Sequence, residues 1–151
     1  MHSKTVKMYY CDFCKKRGQR AYYMRKHEEH CTLNPNRVCN VCGLMEQEQS
    51  AITDLVAVFA ECGPSLMGSD DPNHGFSEYE EWRGGDTARV EAAMPTLREV
   101  AGNCPACIMA ALRQSGIPVP LVESFNFTDE MQAVWSDFNA TQRDVGNPMW
   151  Y

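Results

Sequence analysis

Two sets of thiols dominate the chain. The first is Cys11-x2-Cys14-x12-His27-x3-Cys31; the second is Cys39-x2-Cys42, matched far downstream by Cys104-x2-Cys107. The chemistry open to such residues is metal binding. A two-residue gap lets one tight turn present two thiolates, and four soft or borderline donors complete a zinc tetrahedron. His27 and Cys31 are four residues apart, so a helix presents both on one face. That spacing, with the strength of thiolate–zinc bonds, favours Cys31 as fourth ligand of the first set; His30 is the alternative.

The first set must sit on two short strands and a helix. Tyr9 precedes the first Cys by two residues and Met24 precedes His27 by three. In these features residues 9–31 resemble the C2H2/CCHC zinc-finger family. The resemblance implies a ββα finger with base-reading positions at Arg20, Tyr23 and Lys26, flanked by Lys15, Lys16, Arg17 and Arg25 near phosphates. The aromatic that the family carries between its ligand pairs is absent, because Gly18 stands there. Tyr22 or Tyr23 is expected to supply that packing.

Cys39 and Cys42, in the knuckle RVCNVCG, cannot complete a site alone. Cys104 and Cys107 open a helix: Asn103 suits the N-cap, Pro105 the first turn, and CIMAALRQS runs on to Gly116. A knuckle pair plus a pair on a helix's first turn resembles the treble-clef arrangement. The expected outcome is one split four-cysteine site, with Gly43 giving the knuckle its backbone freedom. A redox Cys-Pro-x-Cys is the rival, and it needs a βαβ frame that the surrounding segments do not offer. Cys62 is left as a small buried hydrophobe.

Charge divides the chain. Residues 1–38 carry nine Lys/Arg against three acids, about +6, whereas the other residues carry five Arg against seventeen acids, about −12. A basic finger over residues 1–34 and an acidic, mostly helical domain over 35–151 are therefore expected. The fold class is mainly α with small β elements, strand being confined to the finger hairpin and the knuckle.

Along the body, EQEQSAITDLVAVFAEC predicts a helix over 46–62 that stops at Gly63-Pro64. Residues 63–85 read as a polar Gly/Pro-rich excursion carrying Tyr79 and Trp82, and His74 within it as a surface histidine. A short helix over 86–93 breaks at Met94-Pro95, a further turn runs to Ala101, and Ile117–Pro120 forms an extended linker. The last helix starts at a Thr128 N-cap, with Met131, Val134, Trp135 and Phe138 as a core-facing stripe, a partner-docking stripe being the alternative; Met149-Trp150-Tyr151 close the chain.

No apolar run reaches the roughly 20 residues of a membrane span, and MHSKTVKMYY lacks a signal-peptide core. An intracellular, reducing compartment is expected, with thiols binding two structural zinc ions rather than pairing as disulfides. No nucleophile–base pair or phosphate-binding glycine loop is present, so no enzyme and no small-molecule substrate are expected. The functional expectation is an accessory protein contacting DNA or RNA through residues 15–26 and a protein through its acidic body. A purely protein-binding module (inhibitor, adaptor or virion component) is the alternative. The finger followed by CTLNPNRVCNVCG is also similar, over roughly 35 residues, to small zinc-binding proteins of bacteriophages, a resemblance that carries no activity with it.

Overall fold

The computed structural model describes residues 1–144. Tyr9–Tyr10 (β1) pairs antiparallel with Arg17–Gly18 (β2), and Ala21–His30 forms helix α1, giving a ββα unit. Its small core holds the buried Met24 with Tyr9 and Leu33 packed beside it. Tyr22 and Tyr23 do not fill the gap left by the missing aromatic; both are about three-fifths exposed. The bare Gly18 lets the Met24 thioether close the gap instead, 3.4 Å from where a Cβ would stand.

The knuckle is a single turn of helix, Asn40–Leu44 (α2), with Cys39 at its N-cap. The left-handed residue that ends this turn is Glu46, not Gly43. Helix α3 spans only Ile52–Ala57, so the expected start at residue 46 is wrong. Gln47, Gln49 and Ser50 are committed elsewhere: their side chains reach Ala101, Arg37 and Val100 carbonyls, which holds residues 46–51 out of helical register.

Ser65–Asp71 (β3) and Gly75–Glu81 (β4) form a second antiparallel hairpin in register Asp71↔Gly75 to Ser65↔Glu81. Strand is therefore not confined to the finger. The connection is a three-residue loop, and Gly75, at φ +75°, supplies the left-handed position such loops need. Asp71 ties it down by accepting from the Asn73 backbone N–H at 2.8 Å. The hairpin buries almost nothing, so its sequence lacks the in–out alternation that marks a half-buried strand.

Gly84–Val100 (α4) is one helix with Pro95 inside it. The expected break at Met94-Pro95 does not occur. Proline removes one backbone donor, but Val90, Met94 and Leu97 are buried on one face, and their burial carries the helix through. Pro105–Gln114 (α5) is the central element, with Ile108, Ala110, Ala111 and Leu112 fully enclosed. Leu55 and Phe59 from the α3 region, the α4 face, Ile117, Val122 and Phe125 surround it. Residues 119–121 form a 3-10 turn rather than an extended linker.

Phe127–Asp144 is helix α6. Asn126, not Thr128, caps it, accepting from the Asp129 N–H at 3.2 Å. Phe125 and Phe127 anchor its start to the core, whereas Met131, Val134 and Phe138 are only half-buried and Trp135 is exposed. The stripe therefore does not enter the main core. The Met149-Trp150-Tyr151 ending lies outside the described residues.

Candidate metal centres

In the finger, β1 and β2 present Cys11 and Cys14 from the turn between them. α1 presents His27, and Cys31 follows at the helix end. Backbone N–H groups point at the first two sulfurs, Phe13 N to Cys11 and Lys16 N to Cys14, each at 3.4 Å. Cys14 Sγ and His27 Nε2 are 3.1 Å apart, and the four ligand atoms lie within 4.8 Å of one another. His30 is turned away, its Nδ1 bonding the Val38 carbonyl at 2.8 Å. The structure thus groups Cys31, not His30, with the other three.

The second cluster is built from the two distant pairs. Cys39 caps α2 and Cys42 lies inside it; Cys104 caps α5 and Cys107 lies in its first turn. All four are buried. The sulfurs of Cys39 and Cys104 stand 3.6 Å apart and those of Cys42 and Cys107 3.5 Å, and all four lie within 4.8 Å of one another. Metal–sulfur bonds of about 2.3 Å in a tetrahedron place sulfurs about 3.8 Å apart, whereas a disulfide needs about 2.05 Å. The spacing matches the first geometry, and all eight cysteines are free. The two clusters can each hold a metal ion.

Electrostatics favour the same use. Burial and then the nearby Lys16 hold the His27 pKa low, so the imidazole is neutral and ready to ligate. Burial opposes ionising Cys14, but the Lys16 N–H and the Cys11 and Cys31 thiols hold its pKa below the ordinary value; burial pushes Cys31 up. In the second cluster Cys39 is held far down by hydrogen bonds from Cys104 and Cys107, while Cys107 and Cys39 drive Cys104 far up. Cys107 is pulled down by Cys104, yet Cys39 and burial outweigh this and push it up to about 12. The Cys39 thiolate is thus stabilised by the Cys104 and Cys107 thiols. A bound cation reverses that balance and expels the protons.

The surroundings hold residues that spacing did not single out. Arg37 is buried, with Nη1 3.7 Å from Cys107 Sγ. Gln49 accepts from the Cys39 N–H at 2.6 Å and donates to the Arg37 carbonyl at 2.9 Å; Gln47 donates to Ala101 O at 3.1 Å and approaches Cys42 Sγ at 3.8 Å. Arg37 lies two residues before Cys39, but nothing in its type marks it as buried rather than basic surface. Cys62, half-buried, belongs to neither cluster, and His74 bonds Asp71 in the hairpin loop at 3.1 Å.

The cations named as a nucleic-acid surface are all exposed. Lys16, Arg17, Arg20 and Tyr23 line one open cleft of about 570 Å³. Lys15 is next to it in sequence, and Lys26, three residues beyond Tyr23, donates to Glu29 at 3.0 Å. Among the described residues no helix is long and apolar enough to cross a membrane. Comparisons with protein-family models, with curated proteins and with solved structures find no match.

Proposed function

We propose that the chain is a zinc-stabilised accessory protein whose basic finger contacts nucleic acid and whose acidic body contacts a protein. Zinc is the metal that donor sets of three sulfurs with one nitrogen, and of four sulfurs, suit best. Each site has four protein donors and no position left for water or substrate, so both ions are structural and the chain is read as no enzyme. The two-part reading, finger over residues 1–34 and body over 35–151, follows from the two separate clusters and the charge division. Free thiols in both sites favour a reducing compartment.

The observation that carries the nucleic-acid reading is the cleft formed by Lys16, Arg17, Arg20 and Tyr23 on the exposed side of the finger. Cations gathered on one face are what phosphate binding requires. The test is a salt titration of binding to unspecific DNA and RNA, with the quadruple variant Lys15→Ala, Lys16→Ala, Arg20→Ala, Lys26→Ala beside the parent. Affinity should fall steeply with salt, and the variant should bind more weakly with a slope shallower by about 0.7–0.9 per lost phosphate contact. Unchanged affinity and slope would refute the reading.

A purely protein-binding module, with the finger as docking element, is favoured by one other observation. The β3–β4 hairpin exposes Leu66, Phe76 and Tyr79 among Asp70, Glu78, Glu80 and Glu81, and α6 exposes Trp135. Aromatic side chains in such settings mark protein contacts. The same titration separates the two readings.

A further inference from the structure

The finger shows more aromatic surface than its fold requires. Tyr10, Tyr22 and Tyr23 are each about three-fifths exposed and Phe13 about two-fifths, while Tyr9, Met24 and Leu33 serve the mini-core. Tyr22 and Tyr23 lie side by side in the first turn of α1 with ring centroids 5.5 Å apart and planes at 71°. Two such rings offer faces in different directions rather than one shared stack. The Arg20 guanidinium lies 5.6 Å from the Tyr23 centroid, beside the cationic cleft.

We infer that the finger takes single-stranded nucleic acid, with Tyr22 and Tyr23 stacking on unpaired bases and the cations following the backbone. The inference rests on the nucleic-acid reading above and deepens it. Bases in a duplex are already stacked and present only their edges in the grooves, where a tyrosine offers one hydroxyl and much apolar surface. Unpaired bases present a free face, and stacking on an aromatic ring is tolerant of sequence because every base has such a face. Water-exposed tyrosine rings amid Lys16, Arg17, Arg20, Arg25 and Lys26 fit the second partner better than the first. The charge of the strand also matches: the finger, residues 1–34, carries eight Lys/Arg against three acids, about +5.

The test uses the full-length, metal-loaded protein at fixed salt. Fluorescence anisotropy is measured with labelled oligo-dT, oligo-rU and a mixed-sequence duplex, each about twelve nucleotides or base pairs long, within the usual site size. Expected are tighter binding to at least one single strand than to the duplex, and a loss of about tenfold or more for Tyr22→Ala or Tyr23→Ala. Tyr23→Phe keeps the ring and should keep the affinity. Both positions are exposed, and zinc content confirms that each variant still holds its metals. Equal or tighter binding to the duplex, or alanine variants that bind the single strand as well as the parent, would overturn the inference and leave the nucleic-acid reading standing. Binding to none of the three would overturn both.

Discussion

Arg37 is the residue whose role changes most once its surroundings are known. It counts among the nine cations of the basic end, yet its side chain is buried beside Cys107 and its Nε has no hydrogen-bond partner among the described residues. A buried guanidinium cannot lose its proton, so it needs negative charge nearby. Four thiolates around a dication carry a net charge of about −2, and Arg37 is placed to offset part of it. Arg37→Met, which keeps the length and removes the charge, should weaken metal binding at the split site about 10- to 100-fold. Arg37→Lys should retain part of the affinity. Competition against a chromophoric chelator measures this; equal affinity in Arg37→Met would show the charge to be irrelevant. Gly102 shows a second constraint of this scale. Its φ is +57°, and an added Cβ would lie 2.7 Å from Gln47 Oε1, the residue that bridges to Ala101.

At the scale of elements, Asp86 holds the hairpin to α4. Its carboxylate accepts from Arg83 N at 2.9 Å and from Ser65 N at 3.1 Å and Oγ at 2.9 Å, and it pairs with Arg89. These contacts, the Arg83 N–H first, hold its pKa below the usual carboxylate value against the effect of burial. The folded state therefore favours the ionised form. Its contribution is fully present above the unfolded value of about 4 and is lost as pH falls through the lower folded value. Asp86→Asn should lower the melting temperature at pH 6, and the gap from the parent should narrow as pH drops below about 4. A gap that stays constant with pH would show that ionisation of Asp86 does not matter. None of this network was legible in the sequence. The hairpin has no buried face to impose alternation, and Asp86 reads only as the acidic start of a short helix that follows the polar excursion. Pro95 misled for the opposite reason: its local cost is real, but Met94 and Leu97 beneath it outweigh that cost.

For the whole molecule, the grouping of the cysteines was legible because tetrahedral coordination demands four donors, although spacing alone left His30 open beside Cys31 in the first set. What spacing could not show is how the finger is fastened to the rest. Arg113 of α5 donates to Thr32 Oγ1 at 2.7 Å, and Gln114 donates to the Thr32 and Asn34 carbonyls at 2.9 and 3.1 Å. The split cluster lies at the other end of α5, joining residues 39 and 42 to 104 and 107. The helix that carries half of that cluster thus also carries the finger's attachments. Opening the cluster should loosen the body first, because Cys39, Cys42, Cys104 and Cys107 belong to its core, whereas the finger's ligands all lie within residues 11–31. If both clusters hold zinc as proposed, Cys104→Ser should reduce it from about two ions to about one per chain, with a binding free energy on the order of 10 kcal/mol withdrawn from the body. Its helical signal should melt at lower temperature and over a broader range, while the remaining ion stays with the finger. Elemental analysis with circular dichroism checks both. Two ions retained would mean that Cys104 is no ligand, and none retained would mean that the finger cannot hold its metal without the body beneath it.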